Sequence, residues 1–237
     1  TNNTMKTMWQ KKVKFLFTNR RWGDFVCNFT AVILGIMLTF MGNAWIKERN
    51  TQRDVQNTLQ LVKSELQTNR NTILYGKQRI EAEIHASQFL LKNKDHLSSV
   101  SKDSLNYYSN LPFQTSFITF TTDALELMKN SLLFPQIKDK KLGLSIIQAY
   151  ASIKVADILY TNYQNLKKEK NEQLDKNPKI AQLFTQKLSY DLLWNYLLTT
   201  NEGYNLLVQI PNIVTPEAFD SLLDEIDATI QSIEEYK

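Results

Sequence analysis

The chain has 237 residues, of which 22% are charged, and its net charge is +4. Six Lys/Arg precede Lys47 against Asp24 alone, whereas 22 Lys/Arg face 23 Asp/Glu from Lys47 onward, so the main part is nearly neutral and nucleic acid is not expected as a partner. Cys27 is the single cysteine, which excludes an internal disulfide and a cysteine-built metal cluster.

Residues 1–24 form a basic tail. Val13, Leu16 and Phe17 share a helical face, ringed by Lys11, Lys12, Lys14, Arg20 and Arg21, a pattern suited to the cytoplasmic membrane interface. Residues 25–46, "FVCNFTAVILGIMLTFMGNAWI", then run for 22 residues without a charge. As a helix this stretch is about 33 Å long, against a hydrocarbon core of about 30 Å. Trp22 and Trp45 flank it, where amphipathic rings favour the headgroup level. "GNA" offers small residues at the spacing of a leader cleavage site, but the apolar run exceeds the usual length of a leader. An uncleaved transmembrane helix is the expectation. The basic flank predicts a cytoplasmic N-terminus, a single pass through the inner (plasma) membrane, and a periplasmic or extracellular location for residues 47–237. Along the span, Asn28, Ala31, Gly35, Thr39 and Gly42 recur at spacings of 3, 4, 4 and 3, which predicts a face of small residues on which another helix can dock.

Beyond the span, Val55, Leu59, Val62, Leu66, Asn69, Ile73, Gly76 and Ile80 alternate spacings of 4 and 3. No proline lies between residue 43 and Pro112, and Gly76 is the one glycine there, so a long helix is predicted to about Leu91. Its seam fits either a coiled coil between chains, with Asn69 setting the register, or burial under later helices of the same chain. "NKDHLSSVSKDSLNYYSNLPF" reads as a connector. "TTDALELMKNSLL" reads as a helix with Thr122 or Asp123 at its cap. The next helix carries Leu142, Ile146, Ala149, Ile153, Ala156 and Tyr160 on one face. "KKEKNEQLDKNP" reads as a solvated run ending at Pro178. A helix over about 180–200 follows, with Phe184, Leu188, Leu192 and Tyr196 in register. Past "NEGYNLLVQIPNIV", Thr215-Pro216-Glu217 opens a last helix whose inner face is Phe219, Leu222, Leu223, Ile226, Ile230 and Ile233. No segment alternates with period two. The predicted class is all-α: one transmembrane helix (25–46) continuing into a long helix, then an exported helical bundle (47–237).

Catalytic signatures are missing. The chain has no phosphate loop, no G-x-S-x-G, no H-E-x-x-H and no EF-hand loop. Glu81 lies four residues before His85, a spacing that suits an ion pair or a two-ligand metal face. Tyr107, Tyr108, Phe113, Phe117 and Phe120 fit core packing or a ligand pocket. No cofactor, no metal site and no enzymatic activity are expected.

"WGDFVCNFTAVILGIMLTFMGNAWIKER", "LQLVKSELQTN" and "TTDALELMKNSLLFPQIKDKKLGLSIIQAY" together resemble a family of single-span membrane proteins of Bacteroidetes. The likeness runs through Gly23, Asp24, Ile36, Asn43 and Trp45, then Leu59 to Asn69, then Thr122, Asp123, Ala124, Leu127, Ile137 and Tyr150. It covers about two-thirds of the chain and is most specific in the span. Members carry a small–glycine pair after their serine; here Leu132 and Leu133 follow Ser131, so a different turn is expected. The family has no established activity, so the resemblance implies a topology and a cell-envelope location only.

The expected function is a structural or accessory subunit of a cell-envelope complex, with the lipid bilayer and another membrane protein or a second copy as partners. The alternative is a sensor whose external helices bind a small ligand. With about two dozen residues before the span, its signal would have to pass to a separate protein.

Overall fold

The computed structural model describes residues 20–109, Pro112, 114–178, 195–196 and 198–236. All regular structure among them is helical, as the periodicity predicts: α1 (Arg20–Lys92), α2 (Lys102–Ser109), α3 (Asp123–Asn130), α4 (Lys140–Asp175), α5 (Asn201–Ile213) and α6 (Asp220–Glu235), with short 3-10 turns between. The chain falls into two compact units, Thr1–Asp54 and Val55–Lys237.

In the first unit the described chain is the opening of α1. Residues 23–50 are exposed along their length, with Gly42 half-buried. α1 and α4 are each long and apolar enough to cross a membrane, but their surroundings differ. The apolar run of α1 lies open, whereas α4 buries one face from Leu142 to Leu174.

The second unit settles the seam. Val55, Leu59, Val62, Leu66, Asn69, Ile73 and Ile80 are all at most 1% exposed, covered by the chain's own helices. An inter-chain coiled coil has no seam left to use. Burying such aliphatic side chains contributes about 1.5–3 kcal/mol each, which is ample reason for the stripe. Helix directions follow from the contacts. Glu65 meets Tyr150 and Gly76 meets Tyr160, so α4 runs parallel to α1. A Cβ on Gly76 would come 3.0 Å from the Tyr160 ring, so the two helices are close here because this position carries no side chain. α6 runs antiparallel to α1, through Lys63–Glu234, Arg70–Asp227 and Lys77–Asp220. Two apolar clusters result. The larger joins Val55 to Ile80 with α3, α4 and α6; the smaller joins Leu90, Leu97, Leu105, Leu174, Leu206, Leu207 and Ile210.

Several local readings change. The connector after α1 holds a 3-10 turn, Leu97–Ser99, and the short helix α2. The charged run after Leu166 continues α4 as far as Asp175 and is largely exposed, as a solvated run should be, but Lys167 and Leu174 within it are buried. "NEGYNLLVQIPNI" is α5, capped by Thr200, whose hydroxyl accepts from the Gly203 N–H at 3.3 Å. Thr122 stands at the start of α3 without capping it. The Glu65 carboxylate, reaching over from α1, accepts from the Ala124 N–H at 3.0 Å instead. Thr215-Pro216 opens a 3-10 turn, and the α-helix begins at Asp220. Of the helix expected over 180–200, Phe184, Leu188 and Leu192 lie outside the described residues.

The turn after Ser131 has the form that glycine favours. The Leu133 N–H donates to the Met128 carbonyl and the Leu132 N–H to the Lys129 carbonyl, both at 3.2 Å, which closes α3 in a Schellman motif. Leu132 takes the left-handed conformation this requires, at φ 58°.

Candidate functional site

The most concentrated polar site lies where the seams of α1 and α4 continue past their apolar stretches. The 4–3 alternation on α1 runs on from Ile80 to Glu83, Ser87 and Leu90, and that on α4 from Tyr160 to Tyr163 and Lys167. Glu83 and Lys167 therefore occupy core positions, and both are fully buried. They stand in sequence between the residues of the two apolar clusters.

The head groups of Glu83 and Lys167 are both engaged, whereas the buried Ser87 hydroxyl and the Gln164 amide nitrogen find no hydrogen-bond partner among the described residues. Lys167 Nζ donates to Glu83 Oε2 at 2.5 Å and to the Gln114 carbonyl at 2.6 Å. The Tyr163 hydroxyl donates to the same carboxylate oxygen at 2.6 Å. Arg79 donates through Nε to Glu83 Oε1 at 2.8 Å and through a terminal nitrogen to Gln114 Oε1 at 3.0 Å. Gln164 accepts from the Ser116 N–H at 3.1 Å. Two helices and the 114–116 segment are thus tied at one point.

The electrostatics follow from burial. Desolvation pulls the Lys167 ammonium below the usual lysine range, opposed by the adjacent Glu83 charge. Desolvation, reinforced by Glu83, holds the Tyr163 phenol far above its ordinary value. Burial also raises Tyr160; Ser116 pulls the other way, yet the Tyr160 hydroxyl finds no partner at hydrogen-bonding geometry among the described residues. A lysine lowered by burial is the kind of group that can serve as a base or nucleophile. Here its ammonium is held between a carboxylate and a carbonyl, which makes the cluster a clamp.

Two further polar groups reach into the core. Asn69 donates to the Thr121 carbonyl at 2.8 Å and accepts from the Thr121 N–H at 3.1 Å, so it grips the segment leading into α3 by both backbone groups. Its task is within the chain, not register between chains. Tyr150 donates to the Glu65 carboxylate that caps α3, and burial with Glu65 beside it drives this phenol up as well.

The sequence-derived sites are placed as follows. Asn28, Ala31, Gly35, Thr39 and Gly42 lie on α1, and among the described residues nothing beyond the helix's own neighbouring backbone comes within 4 Å of where a Cβ would stand on Gly35 or Gly42. Thr39 donates back to the Gly35 carbonyl at 2.8 Å, so its hydroxyl is satisfied within the helix. Trp45 is exposed, with the Arg49 guanidinium 5.6 Å from its ring centre. Arg20, Arg21 and Trp22 belong to the first turn of α1, and Lys11, Lys12 and Lys14 lie outside the described residues. Glu81 pairs with Lys77 at 3.7 Å, and His85 is exposed. The aromatic group does not converge: Tyr107 and Phe117 are exposed, Tyr108 stacks on Phe89, Phe120 packs at the core edge, and Phe113 lies outside the described residues.

The Glu83–Lys167 clamp went unread although its signal was present: an acid and a base each sit in phase with an apolar seam. No family model, curated protein or solved structure compared with the chain matches it.

Proposed function

We propose that this chain is a membrane-anchored structural or accessory subunit of a cell-envelope complex. Residues 25–46 cross the inner membrane once with the N-terminus cytoplasmic, and the helical unit from Val55 lies outside. The observation that carries the reading is a contrast within one helix. The apolar run of α1 is exposed apart from half-buried Gly42, while the seam from Val55 is completely covered. An uncovered run of this length and composition is stable in hydrocarbon and unfavourable in water. α4 is not a second span in this reading, because it buries Gln164 and Lys167 in a protein core and ends in a charged turn. The face of Asn28, Ala31, Gly35, Thr39 and Gly42 is the docking surface for a neighbouring helix, with Asn28 the free interhelical donor. The stretches that resemble the Bacteroidetes family fit the same topology. The buried clamp serves rigidity, and no catalysis is proposed for it.

Reporter fusions at the C-terminus test the topology: a periplasm-active reporter is expected to work and a cytoplasm-active one to fail, and the reverse pattern would sink the reading. For docking, Gly35→Leu and Gly42→Leu should abolish association in a membrane assay while Leu38→Ile leaves it intact. If neither glycine variant changes association, the span is an anchor alone.

A further inference from the structure

α4 is apolar on two sides, which is why it is hydropathic enough to resemble a span. One side carries Ile146, Ile153 and Tyr160 into the core, where each is at most 2% exposed. The other carries Leu144, Ile147, Ala151, Val155 and Ile158, which at 100° per residue stand about 180° around the helix from the buried face. This second face lies open among the described residues: its leucine, isoleucines and valine are between 45% and 62% exposed, and Ala151 is exposed with them. The outer face of a bundle helix is ordinarily polar. Here, of the exposed residues from Leu144 to Ile158, only Lys154 is charged and only Gln148 is polar without charge. The nearest acid, Asp157, is half-buried and accepts from the Thr161 hydroxyl at 3.4 Å.

The stripe is symmetric about its middle. Apolar residues stand four and seven positions from Ala151 on each side, so the spacing of 3, 4, 4 and 3 reads the same in both directions. Two such helices laid antiparallel about a two-fold axis at Ala151 bring Leu144 level with Ile158 and Ile147 level with Val155, in both copies at once. The small Ala151 side chains then meet at the axis, where the helices are closest. A parallel pair would set the two Lys154 side chains level with each other, whereas the antiparallel pair keeps them about 9 Å apart along the axis.

We propose that this face of α4 pairs antiparallel with the same face of a second copy of the chain, centred on Ala151. The symmetry is what selects a second copy: the stripe supplies its own complement in register and calls for no group that it does not carry. An anionic partner would find Lys154 alone. The five positions span about 21 Å of helix, too short to bury the roughly 1,200–2,000 Å² of a standard interface, so the pairing is reversible and rises with local concentration. The proposal concerns the second unit alone and stands apart from the anchored reading.

The test uses the full chain with Cys27→Ser in mild detergent and a short bis-maleimide. Ala151→Cys should link to itself. Leu144→Cys should link to Ile158→Cys when the two variants are mixed, several-fold faster than either links to itself. Tyr107→Cys, exposed on α2, sets the rate of chance encounters. Adding Ile147→Glu should slow linking at Ala151→Cys about tenfold, because the carboxylate would be buried unpaired. Adding Val155→Lys as well should restore it, since within one chain the two positions lie about 12 Å apart along the helix and meet only between antiparallel copies. Both positions are exposed in the single chain, so the unfolding midpoint should not move, which separates pairing from folding. Linking at the Tyr107 rate overturns the proposal. So do self-links of Leu144→Cys and Ile158→Cys that outrun the mixed link, which mark parallel pairing, and a loss with Ile147→Glu that Val155→Lys does not recover. If Ala151→Cys in the dilute chain reacts with a mono-maleimide as slowly as buried Ala149→Cys, the chain itself covers the face, and the proposal falls on that result too.

Discussion

Charge is used in two ways along α1. On one flank of the seam, Lys63, Arg70 and Lys77 recur every seven residues and meet Glu234, Asp227 and Asp220, which recur every seven on α6. These pairs sit at the edge of the interface, with the acids about half exposed. Further along, Glu83 and Lys167 meet with both side chains fully buried. The surface ladder has alternatives in water, so each rung contributes little but a wrong pairing is disfavoured. The buried pair has no alternative. Its attraction offsets a desolvation cost of several kcal/mol, so it matters most when one member is missing.

The largest expected effect follows directly. Lys167→Met leaves Glu83 buried with only Arg79 and Tyr163, and Glu83→Leu leaves the buried ammonium of Lys167 with the Gln114 carbonyl but without the Glu83 carboxylate. Either should cost about 3–5 kcal/mol in denaturant unfolding. The double replacement should recover most of that, because two matched apolar side chains need no partner, although the Gln114 carbonyl and the Tyr163 hydroxyl stay unsatisfied. Single variants as stable as the parent would mean that the pair is not buried in solution.

Asn69 comes next. Replacing it by Leu keeps the volume but orphans the Thr121 N–H and carbonyl together, and should cost about 2–3 kcal/mol. If Asn69 instead set register between chains, the variant would change oligomeric state with little loss of monomer stability. Sedimentation and unfolding on the same sample distinguish the two outcomes.

Tyr150 and Tyr163 give a pH signature. Both phenols are held protonated in the folded state well above the usual range, by burial first and by Glu65 or Glu83 beside them. In the unfolded chain they ionise near pH 10. The folded pKa is the higher one, so their contribution is complete below about pH 10 and falls as pH rises beyond it, by about 1.4 kcal/mol per pH unit per group. Lys167, shifted down, acts with the opposite sign: its contribution grows as pH rises towards the ordinary lysine value. Unfolding titrations between pH 9 and 11 should show the steep loss, and Tyr150→Phe should remove one group's share of the slope. An unchanged slope would place that phenol in contact with water.

How far the sequence could be read depends on which force fixes each feature. Apolar burial leaves a periodic trace, so the helical class, the seam from Val55 to Ile80 and the inner faces of α4 and α6 were legible. Capping by a distant residue leaves none. Nothing near Thr122 signals that Glu65, on another helix, takes its place. The charged run after Leu166 misled because a high density of Lys and Glu normally marks solvent, and only the phase of Lys167 with Tyr160 and Tyr163 marks it as interior. The turn at Leu132 misled in the opposite sense. The absence of glycine suggested another geometry, yet the Schellman hydrogen bonds and the packing of Leu133 at the core edge hold Leu132 left-handed.

The smallest effect tests what the surface ladder is for. Removing one rung, as in Arg70→Gln with Asp227→Asn, should cost under about 1 kcal/mol, since both groups regain water. Exchanging all three pairs end for end, acids onto α1 and bases onto α6, keeps every attraction and should leave stability within about 0.5 kcal/mol. Reversing the three charges on α6 alone instead sets like against like at three successive turns. That variant should lose considerably more than three removed rungs, and the loss should shrink as salt rises towards 1 M, where screening acts within about 3 Å. A loss insensitive to salt would mean that the new side chains disturb packing, and that Lys63, Arg70 and Lys77 serve through their aliphatic stems. The expected salt dependence identifies the ladder as the element that selects antiparallel pairing of α6, while the buried apolar faces of Leu223, Ile226 and Ile233 hold the helix in place once it is there.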